Sequence, residues 1–197
     1  LALGYLLGLH APGKRGLKKF LAGSHHAMLA QASAARAMIS ENGKFRIGTT
    51  VSTVAGYPDD PNSLKDIAAT NRFDALMNSL YVNPACGRGY PIEELPVLKK
   101  IYRYVKDDDM QKLSFPFHFW GINYYSRKKV KHAGWVPYIK YLEKKVPLES
   151  ERTAMGWEVF PEGLHHVSSK FSPYPEIKRI MVAENDMNLH DQLQDSK

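Results

Sequence analysis

Phe117-His118-Phe119-Trp120-Gly121-Ile122-Asn123-Tyr124-Tyr125 is the stretch on which the fold turns. It is nearly continuous in aromatic and apolar residues, without the polar alternation of a strand that has one wet face. A strand of this kind is buried on both sides, as strands of parallel sheets are when helices cover them. Its apolar run ends in the polar Asn123, followed by two tyrosines. In a parallel α/β fold a strand's C-terminal end is where functional groups collect.

Working outward, Ile177-Lys178-Arg179-Ile180-Met181-Val182-Ala183 reads as a second strand and runs straight into Glu184-Asn185-Asp186. Upstream, the β-branched segment 44–52 (KFRIGTTVS) reads as a third. Residues 24–42 predict a helix, with Ser24 as N-cap and Asn42-Gly43 as its stop. Residues 62–81 repeat apolar side chains at helical spacing after a break at Tyr57-Pro58-Asp59-Asp60-Pro61, and 92–105 are helical with Pro96 in the first turn. Residues 127–156 read as a long irregular stretch, and a further helix covers 161–170. Helices alternating with strands argue for parallel βαβ units, arranged either as an open doubly wound sheet or as a (β/α)₈ barrel.

Composition narrows the class. With 197 residues, 44% of them apolar, the chain has the makings of one globular domain. The opening Leu1-Ala2-Leu3-Gly4-Tyr5-Leu6-Leu7-Gly8-Leu9 lacks the basic n-region and cleavage site of a signal peptide, and no run reaches the ~20 apolar residues of a membrane helix. Cys86 is the single cysteine, which excludes an internal disulfide framework and weakly favours the cytoplasm. The net charge of +7 concentrates in two runs, Lys14-Arg15 with Lys18-Lys19, and Arg127-Lys128-Lys129-Lys131. No nucleic-acid module frames either, so both are read as solvated loops rather than phosphate grips.

Several apparent motifs fail on chemistry. Gly8-Leu9-His10-Ala11-Pro12-Gly13-Lys14 has the glycine and lysine spacing of a phosphate loop, yet Arg15 stands where a Mg²⁺-binding hydroxyl is required. His25-His26 and His165-His166 are adjacent pairs whose side chains diverge by about 100° on a helix, and no spaced ligand completes a metal set. They are read as helix-face or capping residues. No metal and no cofactor is expected. A Glu closing a buried strand, as Glu184 does, is either a catalytic carboxylate or a turn residue. Trp157 is equally suited to core packing and to stacking on a sugar.

Taken in order, Gly4-Tyr5 and His10-Ala11-Pro12-Gly13, then His25-His26, Ile47-Gly48, Gly121-Ile122-Asn123-Tyr124-Tyr125-Ser126, Gly156-Trp157-Glu158-Val159-Phe160-Pro161-Glu162-Gly163 and Val182-Ala183-Glu184-Asn185 resemble glycoside hydrolase family 1 over essentially the whole chain. The resemblance is to a β-glucosidase-type member. It implies a (β/α)₈ TIM barrel, of which residues 1–197 would form a single partial domain spanning strands five to seven and lacking the early strands and strand eight. It also implies hydrolysis of terminal β-glycosides with retention, through a covalent glycosyl-enzyme. On that resemblance Glu184 is the nucleophile, and Tyr125 the tyrosine that hydrogen-bonds it. Trp157 would carry the aglycone, Asn123 would face the pocket, and His10 and Ser52 would line the entrance. The expected partner is a small β-glycoside or oligosaccharide, with neither nucleic acid nor membrane.

The departures are equally specific. The family's nucleophile motif usually reads Thr-Glu-Asn-Gly. Here Ala183 removes a hydroxyl, and Asp186 puts a second carboxylate two residues on. The acid/base Glu belongs to an Asn-Glu-Pro motif that occurs nowhere in these residues, so the chain is expected to be an internal fragment, cut just after that motif and inactive alone. The alternative is a homologue that binds sugar or a partner without chemistry. A fragment of this kind would leave strand edges exposed.

Overall fold

A computed structural model describes residues 1–145, 147 and 149–186. Its centre is a parallel three-stranded sheet of β1 (Gly48–Ser52), β3 (Phe119–Asn123) and β6 (Ile180–Glu184), in the order β1-β3-β6. Between β1 and β3 run β2 (Ala55–Pro58) and the helices α2 (Leu64–Asp74), α3 (Leu80–Ala85) and α4 (Asp109–Leu113). Between β3 and β6 lie β4 (Arg127–His132), β5 (Tyr141–Lys144) and α5 (Glu162–Phe171). Helix α1 (Leu17–Glu41) precedes β1. The alternation resolves as three consecutive β/α units of a (β/α)₈ barrel.

β3 earns its central place through its two faces. Trp120, Ile122 and Tyr124 are buried, in the same core cluster as Phe20, Leu21 and Met28 of α1, Leu80 and Val82 of α3, and Val167 and Phe171 of α5. Phe119, Gly121, Asn123 and Tyr125 take the opposite face. Gly121 is required there: a Cβ would sit 2.6 Å from Thr50 Oγ1 and 3.2 Å from the Ala183 methyl. Burying each of the large apolar side chains removes it from water at a gain of about 1.5–3 kcal/mol. On β6, by contrast, Met181 and Val182 are half-exposed.

Five sequence expectations are corrected. α1 begins at Leu17, behind Gly16, and Ser24 lies fully buried in its interior instead of capping it. Tyr57-Pro58 belongs to β2, so the chain breaks only after it. The stretch expected to be irregular from 127 holds β4 and β5, an antiparallel pair with Val130 opposite Glu143, and β2 joins β4 in parallel to make a second three-stranded sheet. Within 92–105 the helix is a 3₁₀ turn of Pro96–Arg103. The helix expected over 62–81 runs on to Ala85 through a π turn at Ala75–Ser79. That turn lets the buried Asn78 side chain bond both the N–H (3.0 Å) and the C=O (2.9 Å) of Val54, just past β1.

His25 lies on a face of α1, the buried one, and is not a cap: it is wholly buried, with Nδ1 2.8 Å from the Tyr90 hydroxyl and Nε2 3.1 Å from Asp109 Oδ2. The contact ties α1 to α4. The Lys106 backbone N–H, followed by His25, holds the Asp109 carboxyl below the usual carboxylate range. Its neighbour His26 is exposed and bonds the Ala22 carbonyl one turn back.

Candidate active site

The carboxy ends of the three barrel strands set one row of side chains. Ser52 is the register partner of Asn123, and Asn123 is the partner of Glu184. The second pairing depends on an irregularity, because Ile122 pairs with Val182 and the next step skips Ala183. One extra residue on β6 shifts the side-chain alternation, so Glu184 becomes the register partner of Asn123, while the Ala183 methyl stays toward Gly121 on the same face. The row is held from both sides. The Thr53 N–H and hydroxyl donate to the Asn123 carbonyl at 2.9 and 3.0 Å, and the Tyr124 N–H donates to the Glu184 carbonyl at 3.0 Å.

Tyr125 and Trp157 complete the carboxylate's surroundings. The Tyr125 hydroxyl donates a hydrogen bond to Glu184 Oε2. The bond has an electrostatic consequence: the Glu184 carboxylate beside it raises the phenol's pKa above the ordinary tyrosine value. Tyr125 therefore keeps its proton at neutral pH and stays a donor. The Trp157 ring lies 5.6 Å from that of Tyr125, tilted by 60°. With 40% of its surface exposed, Trp157 presents an open aromatic face.

The Trp157 loop is positioned by partners that the sequence gives no sign of. Arg127 at the start of β4 grips Glu158 at two points, Nε to Oε2 and Nη2 to Oε1, both 2.7 Å. The bonds to Arg127 hold the Glu158 carboxyl below its usual range. The same guanidinium lies 3.6 Å from the centre of the Phe160 ring. On the other side, the Tyr124 hydroxyl donates to the Phe160 carbonyl at 2.7 Å. Gly163 leaves room for that hydroxyl, since a Cβ there would overlap it. Within the loop, the Trp157 N–H bonds Thr153 Oγ1 at 3.2 Å, and Gly156 turns the chain at φ 75°. The two adjacent residues just past β3 thus divide the labour, with Tyr125 meeting Glu184 while Tyr124 anchors the loop that presents Trp157.

His10 and Ser52 lie apart from this pair. Both are exposed and line one cavity of about 580 Å³, together with Tyr5, Gln31, Thr50 and Asn78. Glu184, Tyr125 and Trp157 are not in its lining. Asn123 connects the two groups, paired with Ser52 on one side and Glu184 on the other. Its buried Oδ1 has no hydrogen-bond partner among the described residues. No cluster of three metal-binding side chains occurs among the described residues.

A parallel β/α sheet with a carboxylate, its tyrosine donor and an aromatic face at the strand ends is the construction of a barrel glycosidase, and the comparisons give the family. The sequence model of Glycosyl hydrolase family 1 matches residues 1–197, and the chain belongs to that family. It is 29% identical over 198 residues to Beta-glucosidase A of Acetivibrio thermocellus, covering 97% of this chain and 43% of that protein. Among solved structures, the family 1 β-glucosidase of Thermotoga maritima superposes with a TM-score of 0.87 at 26% identity, covering 98% of this chain and 43% of that one. The virulence factor SghA of Agrobacterium tumefaciens, in complex with its substrate analogue salicin, superposes at 0.88 and 26% identity, with 100% and 43% covered. The chain thus spans about 43% of the length of these relatives.

Proposed function

We propose that this chain supplies the nucleophile half of a retaining β-glycosidase, with a terminal β-glucoside-type substrate. The observation that carries the reading is the hydrogen bond from Tyr125 to Glu184 beside the open face of Trp157. A donor to one carboxylate oxygen favours the ionised form that a nucleophile needs. Glu184 attacks the anomeric carbon as the bond to the leaving oxygen breaks, and a proton goes to that oxygen from a carboxylic acid about 5–5.5 Å away. Water then attacks the same carbon, the acid's conjugate base takes its proton, and the Glu184 ester bond breaks. Asn123 offers its unpartnered Oδ1 to a sugar hydroxyl, and Trp157 packs against the aglycone. His10 and Ser52 line the approach.

The proton donor is a carboxylate outside these residues, since no Asn-Glu-Pro occurs in the sequence. The 197-residue chain alone therefore does not turn over alkyl glycosides, whose leaving group needs protonation. Support for the substrate class comes from relatives named as β-glucosidases and from salicin, the substrate analogue bound by SghA. The test is chemical rescue. Glu184→Gly in the active protein should abolish hydrolysis of an aryl β-glucoside, and added azide should restore turnover with an α-glycosyl azide as product. Azide leaving the variant inert, or Glu184→Gly retaining activity, would overturn the assignment.

A further inference from the structure

Of the two basic runs, the structure pairs three of the four cations of one with acids and concentrates the other. On β4, Arg127 pairs with Glu158 at 2.7 Å, Lys128 with Glu143 at 3.4 Å and Lys131 with Asp59 at 3.6 Å. The first run has no ion pair among the described residues. Arg15, Lys18 and Lys19 form one wall of a cleft of about 420 Å³, whose other wall carries Lys100 and Arg103 from the 3₁₀ helix, more than 80 residues away in sequence. Five cations share this lining, which contains no carboxylate. None of the five has an ion pair among the described residues, although seven such pairs form elsewhere.

Two further features fit the same charge. Lys100 Nζ sits 4.8 Å from the centre of the Tyr138 ring, and Tyr138 also lines the cleft, so the ammonium is held there. α1 begins at the cleft behind Gly16, with no side-chain cap and no acidic residue in its first turn. The first-turn N–H groups of a 25-residue helix add their partial positive charge to that of the side chains. Five like charges from two distant segments face one concavity, where a bound anion would lower their mutual repulsion. Two arginine forks among them match oxyanions that accept paired hydrogen bonds.

We propose that this cleft binds a small multivalent oxyanion, a ligand bearing two or more phosphate or carboxylate groups, at a site separate from Glu184. The test is calorimetric titration of the purified protein at constant ionic strength, with pyrophosphate in one arm and citrate in the other. Saturable binding of at least one is expected, and the stronger arm identifies the group. Lys100→Gln with Arg103→Gln should weaken it at least tenfold, and Lys18→Gln with Lys19→Gln on the opposite wall should do the same. Lys128→Gln with Lys131→Gln removes equal charge from the acid-paired run and should change binding by less than twofold. No saturable binding of either anion, an equal loss in all three double variants, or binding of an RNA oligonucleotide where both small anions fail would overturn the proposal.

Discussion

Asn123 and Glu184 stand opposite one another across β3 and β6 because the register slips by one residue after Ile122. Without the slip, Ala183 would take the place beside Asn123 and the carboxylate would fall on the other face. The irregularity is thus the structural device that puts the chemistry on the side of the sheet where Tyr125 can reach it.

The first expectation concerns Tyr125. Among the described residues its hydroxyl bonds Glu184 alone and lies at the exposed end of the site, so Tyr125→Phe should leave the unfolding midpoint unchanged. Losing a donor aimed at the reacting carboxylate should lower kcat for an aryl β-glucoside by roughly tenfold to a hundredfold. Unaltered kcat in the variant would remove Tyr125 from the mechanism.

Glu158 is expected to matter through Arg127. It is 4% exposed and held at two points, so Glu158→Ala leaves the guanidinium without its carboxylate and should cost about 3 kcal/mol in urea unfolding. The pH dependence has a definite sign. Because the pairing lowers the folded-state pKa of Glu158 from 4.5, its contribution is fully present above that value and disappears as pH falls through the depressed one. Wild-type stability should therefore drop below about pH 4.5 more steeply than that of Glu158→Gln, a comparison that equilibrium unfolding at pH 3–6 makes directly.

Gly163→Ala should be costly for a residue so small. The added methyl overlaps the Tyr124 hydroxyl, displacing either the tyrosine from the Phe160 carbonyl or α5 from the sheet. Overpacking of this sort costs about 1–3 kcal/mol, and the loop carrying Trp157 should loosen with it. Tryptophan fluorescence of the variant should report a more mobile, more quenchable Trp157. Wild-type stability and quenching would show that the contact is not limiting.

His25→Ala should destabilise by about 1–3 kcal/mol, since Asp109 and Tyr90 each lose a buried hydrogen-bond partner at once. The effect should appear as a lower denaturation midpoint, with catalysis unchanged per folded molecule.

What the sequence revealed follows from how locally each signal is written. β3 was legible because burial on both faces forces a continuous apolar run, and Ile180–Glu184 because it ends so abruptly in charge. β4 and β5 were hidden, since Arg127, Lys128 and Lys131 pair with acids in other segments and the run so looks like a loop. The start of α1 was missed because Gly16 provides no capping side chain, while Ser24 imitates one from inside the helix. Glu184 with Tyr125 was reached through the family's ordered motifs, not through spacing. The clamp of Arg127 on Glu158 spans 31 residues with no pattern linking them, and the cationic cleft joins two segments that nothing in the chain connects.

On the proposed mechanism Glu184 forms the covalent glycosyl bond. The direct test is to incubate the protein with 2,4-dinitrophenyl 2-deoxy-2-fluoro-β-glucoside, whose leaving group departs without a proton donor, and to locate the adduct by mass spectrometry of a digest. The expected result is a single fluoroglucosyl label on Glu184. A label on another carboxylate, or none under conditions that label an active family member, would contradict it.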